Sequence, residues 1–193
     1  MISKTEGILQ SIVSSRKRAI AEQKSKMPEG TIERRARNYS ELPRKFLREL
    51  RAGYQKQSPA IIAEIKRASP SKGMIKENFD PQAIAKSYEE GGATCISVLT
   101  ETEFFLGSPN YIKSVKAACS LPVLRKDFIL DDYQIFESKL IGSDCILLIA
   151  AILDISDLHR LYKLAISLDL DVLVEVHNSE ELDKVLTLSP SMI

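Results

Sequence analysis

Three strand-like segments of this chain are apolar at the start and acquire charge near their C-terminal ends. Side chains alternate along a strand, so positions two apart share a face. In the run Ala60–Ile65 this puts Ile62 and Glu64 on one face, with Lys66 just beyond. Around Pro122–Leu124 it groups Leu124, Lys126 and Phe128, and in Val172–Val176 it pairs Leu173 with Glu175. Two carboxylates and two ammoniums at one end of a parallel sheet suit proton transfer around a carbonyl. Opposite charges keep each other ionised while partial burial tunes their proton affinity. The competing reading is two buried salt bridges, whose desolvation is costly without a functional need. Glu64, Lys66, Lys126 and Glu175 are therefore the candidate catalytic set.

Other polar residues lie close by. Ser69-Pro70-Ser71-Lys72-Gly73 offers hydroxyls, a cation and a flexible backbone, which can receive an anion such as phosphate or can form an ordinary turn. Phe104, Phe105 and Phe128 stand near strand ends, where they either cover an aromatic substrate or pack in the core. Parity turns Arg125 and Asp127 outward, toward helices. His177 shares parity with Glu175 but lies past the strand, as a loop residue.

Strands with this charge pattern need a frame. Apolar, β-branched runs occur at Ala60–Ile65, Thr94–Leu99, Pro122–Leu124, Cys145–Ile149 and Val172–Val176, their starts 34, 28, 23 and 27 residues apart. That spacing holds one strand, one helix and two loops, so the strands are expected to be parallel. Asp80-Pro81 and Ser108-Pro109 carry helix-start signals, and Gly91-Gly92 carries a stop. Asp154 with Asp157, and Asn178 with Glu181, have capping-box spacing. An open doubly wound sheet and a (β/α)8 barrel both use this repeat. The first strand–helix turn reads Lys66-Arg67-Ala68-Ser69-Pro70-Ser71-Lys72-Gly73, without GxGxxG or a Walker motif, which favours the barrel.

The formal net charge of +1 hides a division. Residues 1–55 hold 13 Lys/Arg and 6 Asp/Glu, whereas residues 56–193 hold 14 and 20. Ile8, Leu9, Ile12, Val13 and Ile20 follow Thr5 at helical spacing, with Arg16 interrupting the stripe. A helical extension over 1–55 lying on an acidic barrel over 56–193 explains the split. A nucleic-acid arm is disfavoured, because no aromatic residue precedes Tyr39 to stack on bases. A further short helix is expected over Pro43–Leu50, ending before Gly53. The three cysteines lack CxxC spacing, and the two histidines are scattered, so reduced thiols in a cytoplasmic protein are expected and a metal site is not. The longest apolar run, Cys145–Leu153, is too short to span a bilayer.

The segments Ile61-Ile62-Ala63-Glu64-Ile65-Lys66-Arg67-Ala68-Ser69-Pro70-Ser71, Pro122-Val123-Leu124-Arg125-Lys126-Asp127-Phe128 and Leu173-Val174-Glu175-Val176-His177 resemble the indole-3-glycerol phosphate synthase family. So does Leu99-Thr100-Glu101 followed by Phe105 and Gly107-Ser108. The resemblance implies a (β/α)8 barrel with a helical N-terminal extension. It implies ring closure of 1-(2-carboxyphenylamino)-1-deoxyribulose 5-phosphate to indole-3-glycerol phosphate, with loss of carbon dioxide and water and with no metal or organic cofactor. By motif, Lys126 is the general acid, Glu175 a proton acceptor and Glu64 its support. Lys66 would hold the substrate carboxylate or phosphate, or share the acid role. Ser69 matches a phosphate-contacting position, and Phe105, Phe128 and Leu147 match apolar walls around the anthranilate ring. The alternatives are another phosphate-binding barrel, such as phosphoribosylanthranilate isomerase, and a non-catalytic fragment acting as a binding module.

Only about five strand–helix units can be counted, with Met192-Ile193 opening a sixth strand. A barrel of this type takes about 250 residues, so the family pattern implies a C-terminally truncated synthase. Alone, such a chain is expected to be inactive and to self-associate through an open sheet edge.

Overall fold

The computed structural model describes residues 4–55 and 59–193. Three helices come first: α1 (Lys4–Lys26), α2 (Glu29–Arg37) and α3 (Phe46–Gln55). Strand β1 (Ile62–Ile65) follows, then a small antiparallel hairpin of β2 (Ala68–Ser69) and β3 (Gly73–Met74). The alternation continues through α4 (Pro81–Glu90), β4 (Cys95–Leu99), α5 (Asn110–Ala118), β5 (Val123–Lys126), α6 (Asp132–Leu140) and β6 (Cys145–Ile149). A 3₁₀ turn (Ala150–Ile152), α7 (Ile155–Ser167), β7 (Asp171–Glu175) and α8 (Ser179–Leu186) complete it.

The five long strands form one parallel sheet in the order β1-β4-β5-β6-β7. Every crossover steps one place in the same direction. A doubly wound sheet reverses its order at a switch point, and this sheet never does; it is singly wound, as in a (β/α)8 barrel. Among the described residues it does not close, and β1 is bonded to β4 alone. At the other edge the Val174 N–H donates to the Met192 carbonyl at 3.2 Å, laying the chain beside β7 where a sixth barrel strand is expected.

The two faces of the sheet hold different cores. Ile65, Ile96, Val98 and Val123 point to the helical layer and bury against Ala85 of α4 and Ile112 and Val115 of α5. Cys95, Leu124, Cys145, Leu147 and Ile149 point to the interior, where Phe46 of α3 is fully buried among them. Burying a phenylalanine of this kind contributes about 2–3 kcal/mol. Strand parity placed Leu124 on the interior side, as observed.

Local signals set most boundaries. The Asp80 carboxylate accepts the N–H groups of Gln82 and Ala83 at the head of α4. Asp154 caps α7 through Asp157 N–H, and Asn178 caps α8 through Glu181 N–H. Helix α3 departs from its expected span of Pro43–Leu50, starting three residues later and running through Gly53. Tertiary contacts explain the shift. The Asp144 carboxylate takes Arg44 N–H at 2.7 Å and Asp171 takes Leu47 N–H at 3.0 Å, so acids on the sheet place the first turn. The Ser/Pro segment after β1 also differs from a plain turn, because Gly73 at φ +65° folds it into the β2–β3 hairpin.

Helices α1 and α2 share the core of the α/β part, with Ile20, Ile32 and Ala36 packed into the cluster containing Ile129, Tyr133 and Phe136. Arg16, which breaks the apolar stripe of α1, is nonetheless only 4% exposed. It is buried because it reaches the Asp127 carboxylate.

Candidate active site

The C-terminal ends of β1, β5 and β7 carry the four charged residues expected there. Lys126 Nζ lies 3.3 Å from Glu175 Oε2, across the intervening strand β6. Lys66 pairs with Glu64 two residues before it. The hydrogen bonds therefore join the four as two pairs. All four side chains are about one-third exposed, between 31% and 34%. They are neither closed to solvent nor fully exposed.

Two aromatic residues stand beside them on adjacent loops. Phe105 follows β4, Phe128 follows β5, and their ring centroids are 6.1 Å apart. Phe105 is held by Glu101, a 1% exposed residue whose carboxylate accepts the N–H groups of Glu103, Phe104 and Phe105 at 2.7–2.9 Å. The loop then folds back so closely that a Cβ on Gly107 would stand 2.4 Å from the Leu99 carbonyl oxygen. Phe104 is half-buried on the same loop. Leu147 faces the interior at 2% exposure, level with Leu173 and one layer below Glu175.

An open cleft of about 710 Å³ lies next to this ledge, lined by Lys66, Ser69, Ser71, Lys72 and Phe105 and by Ile8, Ile12 and Ile75. Its size suits a small organic phosphate. The Ser69 hydroxyl sits 3.5 Å from that of Ser71 and accepts Lys72 N–H at 3.3 Å. Hydroxyls and a lysine around an apolar wall can hold an anion attached to an aromatic group.

Arg125 and Asp127 point outward, as parity requires, and both are buried. Arg125 donates to Glu137, Ser138 and the Gln134 carbonyl of α6 as well as to Asp127. Burial alone would raise the Asp127 pKa, but Arg125 and then Arg16 outweigh it and hold the carboxyl below its ordinary range. His177 is an exposed loop residue whose Nε2 is 3.5 Å from Glu175 Oε1.

Sequence reasoning did not find the cleft walls Ile8, Ile12 and Ile75, nor the way Glu101 organises its loop. The only signal for Ile8 and Ile12 was the apolar stripe of α1, which equally fits ordinary packing. Among the described residues no group of three or more His, Cys, Asp or Glu could hold a metal ion. No described helix is long and apolar enough to cross a membrane.

A singly wound parallel sheet with a charged mouth at its strand ends and a cleft beside an aromatic ledge defines a barrel-type α/β scaffold. Residues 9–193 match the family model described as indole-3-glycerol phosphate synthase, and the chain belongs to that family. It is 55% identical over 152 residues to the indole-3-glycerol phosphate synthase of Polaromonas naphthalenivorans (strain CJ2), covering 79% of this chain and 58% of that protein. It is 46% identical over 186 residues to the indole-3-glycerol phosphate synthase of Polaromonas sp. (strain JS666 / ATCC BAA-500), covering 96% of this chain and 70% of that protein. The alignments thus span between 58% and 70% of these relatives' lengths.

Proposed function

We propose that this chain supplies the acid–base half of an indole-3-glycerol phosphate synthase, a carboxy-lyase of tryptophan biosynthesis. The observation that carries the reading is the Lys126–Glu175 pair, 3.3 Å apart and partly exposed at the strand ends. The substrate is 1-(2-carboxyphenylamino)-1-deoxyribulose 5-phosphate. Its aromatic carbon, bearing the carboxylate, attacks the ribulose carbonyl carbon while Lys126 donates a proton to the carbonyl oxygen. A carbon–carbon bond forms, and the carboxylate leaves as carbon dioxide, its electron pair returning to the ring. The new hydroxyl then leaves as water, taking a second proton from Lys66, which shares the acid role, while Glu175 accepts the proton released at the neighbouring carbon. Glu64 supports that transfer through its place beside Lys66. Lys66 and Ser69, which share the cleft, bind an anionic group of the substrate. Phe105 and Phe128 flank the anthranilate ring, with Leu147 beneath. A positioned acid and base contribute about 10²–10⁴-fold in rate, and holding a flexible substrate in an attack-ready shape adds to this.

The same proposal places the protein in the cytoplasm, since Cys95, Cys119 and Cys145 are all buried, unpaired thiols that suit a reducing compartment. It also assigns self-association to the β1 edge, where Ile61 and Ile62 are exposed beside a strand bonded on one side. Sedimentation that does not change with concentration would remove this assignment.

The test joins this chain to the part of the Polaromonas sp. (strain JS666 / ATCC BAA-500) relative that it does not span, and follows indole fluorescence. Product formation that Lys126→Ala abolishes supports the proposal. Equal rates from both proteins would take Lys126 out of the mechanism, and no product from the joined protein would overturn the activity.

A further inference from the structure

Helix α1 touches the sheet at an informative place. Consecutive residues reach two different loops: the Ser15 hydroxyl donates to Glu103, on the loop carrying Phe105, and Arg16 Nη2 donates to Asp127 Oδ2 at 3.2 Å, on the segment carrying Lys126 and Phe128. Asp127 is a junction. The same Oδ2 accepts from Thr100 Oγ1 at 2.6 Å and Arg125 Nη2 at 3.0 Å, while Oδ1 accepts the Phe128 N–H at 2.8 Å. The Thr100 N–H in turn donates to the Lys126 carbonyl at 3.0 Å. Lys126 is thus bracketed by one hydrogen-bonded cluster, and Arg16 is the cation that α1 adds to it. Arg16 also balances charge: with Arg125 it offsets Asp127 and Glu137 in a site where Arg125 and Asp127 are fully enclosed. An uncompensated carboxylate there would be strongly unfavourable.

We propose that Arg16 is a positioning residue of the active site: by holding Asp127 it fixes the direction in which Lys126 and Phe128 leave the end of β5, so that α1 is a working wall of the site as well as a packed helix. The assignment rests on the proposed function only for its catalytic meaning; the geometry it predicts can be read without turnover. Packing alone would make α1 contribute stability through Ile12 and Ile20, both buried, and any polar contact of the arm would then be equivalent. Positioning makes Arg16 different from the arm's other contacts. The Gln23 amide, which donates to Glu137 at 2.9 Å, supplies the comparison: it reaches the same cluster through Glu137 of α6 but has no hydrogen bond to Asp127, Lys126 or Phe128.

The experiment uses the 193-residue chain labelled with 4-fluorophenylalanine, with the Phe105 and Phe128 signals assigned by Phe105→Leu and Phe128→Leu. Arg16→Met is expected to shift or broaden the Phe128 fluorine signal in the folded protein, and Arg16→Lys to return it at least halfway. Gln23→Ala is expected to leave it within its linewidth. If Arg16→Met does not fold, Arg16→Lys decides, since it must show a measurable intermediate shift. A Phe128 signal unmoved by either Arg16 variant, or moved as far by Gln23→Ala, overturns the proposal. The second readout is the Kd of the joined protein for the reduced, uncyclisable alcohol of the substrate, expected to rise at least tenfold in Arg16→Met and less than threefold in Gln23→Ala. An equal rise in both also overturns it. Should the unmutated joined protein not bind this alcohol, the proposed function fails while the fluorine signals still decide the role of Arg16.

Discussion

Lys126 and Glu175 stand on strands that are not neighbours, yet their charged atoms are 3.3 Å apart across β6. The contact is possible because both residues occupy the last positions of their strands and share the interior face, with Ile149 of β6 in register with Glu175. An exposed ion pair of this kind adds only about 0–1 kcal/mol to stability.

Glu175→Gln keeps the shape and removes the proton acceptor. Turnover of the joined protein is expected to fall about 10²–10⁴-fold, while the urea midpoint moves little. A large loss of stability with normal kcat would show a structural role instead.

Glu101→Ala removes the carboxylate that satisfies three backbone N–H groups. Hydrogen bonds of this partly buried kind contribute about 0.5–1.5 kcal/mol each, so a lowered Tm and a displaced Phe105 ring are expected. Gly107→Ala should act on the same loop, because its Cβ would meet the Leu99 and Glu101 carbonyl oxygens at 2.4 and 2.7 Å. A Tm for either variant equal to that of the unmutated chain would contradict this account of the loop.

Acid should unfold the protein partly through Asp127. Its carboxyl is held below its ordinary range: burial opposes this, but Arg125 and Arg16 outweigh it. A depressed folded value gives stability that is fully present above the unfolded value, about 3.9, and lost as pH falls from there toward the folded value. Urea midpoints measured against pH should drop below about pH 4, and less steeply in Asp127→Asn. Parallel curves would exclude Asp127 as the group responsible.

The thiols should be inert in the folded state. Burial pushes the Cys95 thiol up to about 12 and the Cys145 thiol well above its ordinary value, and Cys119 is raised for the same reason. Reaction with a disulfide reagent at pH 8 should be slow until denaturant is added, when all three cysteines titrate. Fast reaction of any one in the native protein would show that its surroundings open.

Much of this protein is decided by local sequence. Alternation within each strand assigns Glu64, Lys126 and Glu175 to the interior face and Arg125 to the helices, because the strand repeat leaves each residue one side to face. Asp80, Asp154 and Asn178 fix helix starts by reaching N–H groups two or three residues away. The remaining features depend on residues far apart in the chain. Helix α3 begins at Phe46 because Asp144 and Asp171, about 100 and 124 residues downstream, cap it. Arg16 reads in sequence as a flaw in an apolar stripe and becomes a buried contact only once Asp127, 111 residues away, is placed beneath it. Ile8 and Ile12 become cleft walls only when α1 lies over the β2–β3 hairpin. Short-range steric and hydrogen-bonding preferences are written in neighbouring residues, whereas burial and charge pairing belong to whichever surfaces the folded chain brings together.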